Sequence, residues 1–477
     1  MLTFGTAGIR GPLGPGENQM NLGTVIRTTA GLMEWLTTQV DNPHVVIGCD
    51  GRHGSRQFYQ AVAQVVAATG GTALCVPPVN PTPLTAFSVK HLHADAGVMI
   101  TASHNPATDN GYKVYLGGRI ATGPAEGVQL IPPADSEIAA AISTAPFADE
   151  IPRVGLDHPG LVHVDPRPDY ISAAHRFAAR LTRPRSPITI ALTAMHGVGG
   201  QLAQQVLSEA GFTVSLVPQQ AAPDPGFPTV TFPNPEEPGA LDLAMEHATH
   251  IGADLIIALD PDADRCAVAI PEPGGWRQLS GDETGCLLAE YLITCGVITP
   301  GTTVASSIVS SRQLGTIAAR HGITHRTTLT GFKWIARTPG LSFGYEEAIG
   351  YCCNPSAVAD KDGITAALAF AHLVAYHQLT QTDGGFATAP LTIRVDDPSI
   401  ISATMARLRA HPLQQVGGVS VTTYVDFLDD ESRVAYFGAD DPGRTDAILL
   451  LTAADERVII RPSGTEPKLK CYLDVPA

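Results

Sequence analysis

The chain has 477 residues, of which 44% are hydrophobic and 16% charged, and its formal net charge is −16. That length exceeds a single core and sets an expectation of three or four domains. The acidic balance excludes a nucleic-acid partner, which needs a basic face, but leaves room for small anions held by local Arg and Lys clusters. Along the chain, apolar spacing predicts a helix over 21–40 with Asn21 as its cap, a strand over 44–49, a helix over 55–69 and a strand over 72–76. A Pro-rich loop through Pro83 is expected next, then a buried strand over 96–100. Residues 123–168 are weakly periodic and read as loop-rich. The strand–helix rhythm returns with strands at 188–195, 212–217 and 254–259 around a helix at 201–210. It returns again with helices at 282–295 and 362–379 and a strand at 303–309. Beyond 383–385 the pattern changes to short strands and one helix near 402–410, as in a smaller α+β unit.

The eight cysteines form no C-x-x-C pair, and the adjacent Cys352 and Cys353 do not resemble a structural zinc site. The N-terminus has neither the basic nor the apolar region of a signal peptide, and no stretch is long enough to span a bilayer. A reduced, cytoplasmic protein with no membrane partner is expected.

Four segments carry chemistry. Thr101-Ala102-Ser103-His104-Asn105-Pro106 follows the apolar run 96–100, so Ser103 would sit at a strand's carboxyl end, where α/β sheets gather ligands. A serine hydroxyl needs a base or metal to act as a nucleophile; His104, Lys113 and a later acidic loop are candidates. Taken alone, the hexamer fits a strand-terminating turn equally well.

Asp260-Pro261-Asp262-Ala263-Asp264-Arg265 follows the strand 254–259, and three carboxylates at alternate positions can converge on one divalent cation. An EF-hand is excluded, because its sixth and twelfth positions would be Arg265 and Pro271. Three carboxylates leave the cation unsaturated, which suits Mg²⁺ completed by a phosphate oxygen, with Arg265 beside it to hold that phosphate.

Gly344-Tyr345-Glu346-Glu347-Ala348-Ile349-Gly350 offers carboxylates for sugar hydroxyls, although the segment alone also fits a solvated turn. Arg461-Pro462-Ser463-Gly464-Thr465 supplies a guanidinium fork with hydroxyl and backbone donors, a phosphate cradle or a plain turn. Arg10, in a Gly-rich loop, and Lys333, in Thr330-Gly331-Phe332-Lys333, add cations. Two decoys fail. Gly340-Leu341-Ser342-Phe343-Gly344 matches G-x-S-x-G but lacks the strand–turn–helix context of a nucleophile elbow. His247 and His250 lack the Glu of a zincin helix.

Taken together and in this order, the four segments resemble the α-D-phosphohexomutase superfamily, which includes phosphoglucomutases and phosphomannomutases. Asp50-Gly51-Arg52, His196-Gly197-Val198-Gly199-Gly200 and Lys361-Asp362-Gly363 add to the likeness, which spans essentially the whole chain. The resemblance implies an α/β architecture of three α/β sandwich domains (1–178, 179–274 and 275–385) and a smaller α+β domain (386–477) around a central cleft. It implies that Ser103 is the phosphoserine, its phosphate completing the Mg²⁺ shell of Asp260, Asp262 and Asp264. Arg10, His104 and Lys113 match cationic or acid–base positions; Arg265, Lys333, Glu346 and Glu347 fall on the substrate side. Arg461, Ser463, Gly464 and Thr465 match the loop for the non-reacting phosphate. The implied reaction moves a phosphoryl group between C1 and C6 of a hexose phosphate, glucose 1-phosphate to glucose 6-phosphate, through a bisphosphate that also primes the enzyme. Monomer and dimer both remain open.

Ala348 stands where many relatives carry serine, and Gly350-Tyr351 where phosphomannomutases carry Gly-His. These forms look closer to the branch of phosphopentomutases and sugar-bisphosphate synthases, so mannose and ribose phosphates are alternative substrates. A sugar-phosphate phosphatase and a non-catalytic sugar-phosphate-binding protein are the alternatives of another class.

Overall fold

Strands buried along their whole length set the frame. Every residue of Ala96–Ile100 and of Leu255–Leu259 is inside, the pattern of strands covered by layers on both faces. The computed structural model describes residues 2, 4, 8–183, 185–376, 386–463 and 468–476. In the first, seven-stranded sheet, His44–Cys49 pairs in parallel with Thr72–Cys75 and with Ala96–Ile100. Asp109–Leu116 returns antiparallel beside Ala96–Ile100 and carries Ile9–Pro12 at the edge. The second sheet places Leu255–Leu259 parallel to Thr189–Thr193 and antiparallel to Cys266–Glu272. The third places Thr303–Ser307 between Thr324–Thr328 and Leu341–Glu346, both parallel to it. The fourth is six-stranded and antiparallel, with Arg457–Pro462 between Ile448–Thr452 and Lys468–Pro476. This is the expected fold class: three α/β units and a C-terminal antiparallel sheet.

Helix ends follow their capping residues. Asn21 accepts from Thr24 N before Leu22–Gln39, and Ser280 with Glu283 forms a capping box before Gly281–Thr294. Asp362 accepts from Ile364 N and Thr365 N before Gly363–Ala375. That last helix is buried at every residue, as a helix apolar nearly all round must be, with Thr365 and His372 its polar exceptions, and it shares one continuous core with the second and third sheets. Gly363 lets it start against the acidic loop, since a Cβ there would stand 2.5 Å from the Arg265 carbonyl oxygen.

The structure departs from the sequence reading in three places. The expected loop is present but ends two residues before Pro83, where a helix runs from Thr82 to His91 with the proline in its first turn, its missing N–H costing nothing. The stretch 123–168 contains a helix, Ala134–Thr144, and a strand, Leu161–His163. The C-terminal unit has a second helix, Asp430–Phe437, beside Ser399–Ala410. It is short and mostly exposed, so it carries no apolar stripe to read. The helix expected over 362–379 is observed as Gly363–Ala375, and 377–385 lie outside the described residues.

Candidate active site

Two strand ends from different sheets bring the serine and the acids together. Ser103 follows Ala96–Ile100, Asp260 follows Leu255–Leu259, and Ser103 Oγ donates to Asp260 Oδ2 at 2.9 Å. Ser103 is a non-glycine residue at φ 52°, and Ala263 inside the acidic loop stands at 56°. Left-handed backbone of this kind persists where surrounding bonds over-determine it. Here Arg52 does so. Its guanidinium donates to the carbonyls of Ser103 and Asn105, each at 2.6 Å, and of Pro106 at 2.7 Å. Asp50 lies 3.4 Å from Arg52 Nε and holds the fork. Arg52 entered the sequence reading only through a family-like tripeptide; an Arg after Asp-Gly at a strand end was its one signal.

The acids are fully buried. One oxygen from each of Asp260, Asp262 and Asp264 lies within 4.8 Å of the others. Asp262 Oδ1 and Asp264 Oδ1 are buried without a hydrogen-bond partner. Buried anionic oxygens with lone pairs to spare fit a hard divalent cation such as Mg²⁺. Lys113 Nζ lies 2.7 Å from Asp262 Oδ2 and 2.9 Å from Asp264 Oδ2, and Lys361 Nζ lies 3.4 Å from Asp264. Thr82 Oγ1 donates to Asp262 Oδ2 at 2.6 Å. Lys361 and Thr82 were not among the expected site residues. Thr82 carries no sequence signal, because its contact crosses between domains.

Charge is sorted within this cluster. Burial, compounded by Asp262 and Asp264, pushes the Asp260 carboxyl well above the usual range. Burial would raise Asp264 too, but Lys113, Lys361 and Arg265 together hold it below. Burial would lower Lys113, yet Asp262 and Asp264 hold it above its ordinary value. His104 Nδ1 is 3.3 Å from Ser103 Oγ. Desolvation, then Arg265 and Arg10, pushes this imidazole well below its ordinary value, so it is neutral at pH 7. Arg10 lies on the edge strand opposite Gly111.

The sugar loop is joined to the acidic loop by backbone: Arg265 bridges Gly350, and Cys266 N donates to Ile349 O at 3.0 Å. Glu346 accepts from Gly331 N at 2.7 Å, and burial raises its carboxyl against the pull of Lys361 and Arg265. Glu347 turns the other way. Its Oε2 accepts from Ser307 Oγ at 3.0 Å and Ser310 Oγ at 3.1 Å, which anchors the loop. Lys333 is nearly buried, with Nζ 5.3 Å from the Trp334 ring centroid. Burial lowers its ammonium to about 8. Arg461 is the penultimate residue of the strand Arg457–Pro462, and Ser463 N donates to Lys468 O at 2.8 Å. Burial pushes the Tyr472 hydroxyl well above its ordinary value, with Glu347 and Glu346 raising it further and Arg461 lowering it. Gly464 and Thr465 lie outside the described residues. The decoys are structural: Ser342 Oγ donates to Thr303 O at 3.1 Å, and His247 Nε2 pairs with Ser215 Oγ at 2.8 Å.

Family models described as phosphoglucomutase/phosphomannomutase alpha/beta/alpha domains I, II and III match residues 1–149, 168–274 and 280–383. The chain belongs to the phosphoglucomutase/phosphomannomutase family. It is therefore a phosphosugar mutase of the α-D-phosphohexomutase superfamily, an isomerase that acts by intramolecular phosphoryl transfer. A probable phosphomannomutase of Haemophilus influenzae is 40% identical, over 95% of this chain and 93% of that protein. A phosphopentomutase of Mus musculus is 34% identical, over 99% and 84%. A phosphoglucomutase of Staphylococcus aureus is 31% identical, over 99% and 89%. The crystal structure of a putative phosphomannomutase from Thermus thermophilus shares the mutase fold with TM-score 0.76 at 21% identity, over 100% and 95% of the two chains. These names divide over three sugars.

Proposed function

We propose that this mutase carries its phosphoryl group on Ser103 and moves it between C1 and C6 of a hexose phosphate, glucose 1-phosphate and glucose 6-phosphate. The observation that carries this reading is the 2.9 Å contact of Ser103 Oγ with Asp260, inside a buried triad with two unpartnered oxygens. Asp260, Asp262 and Asp264 would hold Mg²⁺, which when bound would supply positive charge to offset that of the phosphoryl group. A relative from Aspergillus fumigatus has been solved with GlcNAc-6P and magnesium, and a serine-to-alanine variant of it with glucose 1,6-bisphosphate.

The chain's own groups do the rest. Phosphorylated Ser103 gives its phosphoryl group to the free hydroxyl of the sugar monophosphate; the P–O bond to Ser103 breaks as the bond to the sugar forms. Neutral His104, next to Oγ, handles the proton, and Lys113, Arg10 and Arg265 offset charge in transfer. Glu346 grips sugar hydroxyls, while Lys333 faces the substrate and Glu347 braces the loop. Arg461 and Ser463, with Gly464 and Thr465, hold the other phosphate. The bisphosphate then presents its second phosphate to Ser103, so a sugar 1,6-bisphosphate primes the unphosphorylated enzyme. We place the domain boundaries after 178, 274 and 385, although the second sheet continues past 274 into the strand Gly275–Gln278. All eight cysteines are free thiols, which supports a cytoplasmic setting. No helix among the described residues is long and apolar enough to cross a membrane.

Pentose phosphate is the second reading, favoured by Ala348 and Tyr351 in the sugar loop and by the phosphopentomutase relatives. A coupled assay with Mg²⁺ and catalytic glucose 1,6-bisphosphate separates them. Glucose 1-phosphate should give a higher kcat/KM than mannose 1-phosphate or ribose 1-phosphate. A higher value with ribose 1-phosphate would transfer the assignment to pentoses, and release of free phosphate without isomerisation would make the protein a phosphatase.

A further inference from the structure

Away from the cleft, two adjoining cavities of about 400 and 410 Å³ lie where three parts of the chain meet. They share Lys90, Glu126, Arg180, Asn354 and Ser356. Lys90 lies in the last turn of the helix Thr82–His91, Arg176 and Arg180 belong to the helix Arg167–Ala178 and the turn after it, and Asn354 and Ser356 follow the strand Gly350–Cys352. None of the residues assigned above to phosphoryl transfer or sugar binding lines either cavity.

The charge of this trench runs against that of the molecule. The chain carries −16 overall, yet Lys90, Arg176 and Arg180 meet here with Glu126 as the only carboxylate among the lining residues. None of the three cations makes an ion pair among the described residues. Their hydrogen bonds go to neutral acceptors: Lys90 Nζ to Pro355 O at 3.2 Å, Arg176 to Ser172 Oγ at 2.9 Å and Arg180 to Val297 O at 3.2 Å. Each keeps donors to spare, since an ammonium has three N–H groups and a guanidinium five. The cavities have the volume of small-molecule sites, and cations gathered around a concavity attract an anion.

We propose that this trench binds a small multivalent anion, a phosphate ester or a polycarboxylate, at a site separate from the catalytic cleft. Bound there, the anion pins the Lys90 helix, the Arg176 helix and the Asn354 turn to one another, and so stabilises the junction of the α/β units.

The test is titration calorimetry in metal-free buffer at low ionic strength, with inorganic pyrophosphate and with citrate as probes. The proteins are the wild type, Arg176→Glu, Lys90→Gln and Arg461→Ala. Arg176 is exposed and Gln keeps a donor for Pro355 O, so both trench variants should fold; far-UV circular dichroism checks this. At least one probe should bind wild type and Arg461→Ala alike, and bind each trench variant about tenfold more weakly or worse. The same probe should raise the wild-type Tm in a concentration-dependent way. Binding of pyrophosphate alone assigns a phosphate ester, of citrate alone a polycarboxylate, and of both a site that reads charge. Binding that is lost in Arg461→Ala and unchanged in the trench variants would place the anion in the cleft and overturn the proposal. So would failure of both probes to bind, or equal affinity in all four proteins.

Discussion

Ser103 and Ser463 each follow a strand, Ala96–Ile100 and Arg457–Pro462, but the ground beneath them differs. The serine loop is locked. Arg52 holds three of its carbonyls, Asp260 takes its hydroxyl, and the three acids are at most 1% exposed. The phosphate strand ends half-buried in an antiparallel sheet that meets the rest through a small apolar cluster, Ile308 and Val309 against Phe427 and Tyr472, and through a few polar side chains. Arg312 reaches Asp474 at 2.8 Å and Asp455 at 2.7 Å, Arg457 reaches Ser310 O at 2.5 Å, and Arg394 lies 3.4 Å from Glu237. Transfer chemistry rewards groups fixed before the substrate arrives, because fixed dipoles cost no reorganisation at the moment of reaction. Recognition of a distal phosphate tolerates a looser mount, provided its charge is right.

The sharpest way to break this contrast is Ser103→Ala. Turnover should fall by about 10⁴-fold or more while the circular dichroism spectrum is unchanged; residual turnover near wild type would remove Ser103 from the chemistry. Arg52→Ala comes next. It leaves buried carbonyls and Asp50 unpaired, so kcat should fall about 10²-fold and stability by about 2–4 kcal/mol in urea unfolding. Arg52→Lys should rescue little, because one ammonium cannot span three carbonyls. At the looser end, Arg461→Ala removes charge-assisted bonds worth about 1.5–3 kcal/mol. The expected result is a KM raised about tenfold or more with a smaller change in kcat; an equal loss in both would make the phosphate loop as rigidly coupled as the serine loop.

The smallest effect concerns pH. Lys333, lowered by burial to about 8, is cationic below that pH and neutral above it. The KM for a phosphosugar should therefore rise a few-fold between pH 7 and 9, by about the worth of one exposed-to-half-buried charge contact. In Lys333→Arg, which stays charged, that rise should vanish.

Much of this was legible in the chain. Apolar runs ending in Thr-Ala-Ser-His and Asp-Pro-Asp-Ala-Asp announced two strand-end loops, and the acids' alternate spacing announced their convergence. The partners that arrive from other elements were hidden. Thr82 on Asp262, Ser307 and Ser310 on Glu347, and Arg52 under the serine loop join residues that are far apart in sequence or in a different sheet. Only the fold decides such meetings. For the same reason Glu347 reads as a sugar ligand in sequence and as a loop anchor in structure. The helix at Thr82 was concealed because its opening residues, Thr82-Pro83, look like a turn until the buried face behind them is seen.

The central claim is that Ser103 is the phosphoryl carrier. Its most direct test is peptide mass mapping after incubation with glucose 1,6-bisphosphate and Mg²⁺, followed by a chase with glucose 1-phosphate. The account predicts one phosphoryl increment on the peptide containing Ser103, gained with the bisphosphate, removed by the chase and absent from Ser103→Ala. A phosphoryl group on another residue, or isomerisation by an enzyme that never gains one, would contradict it.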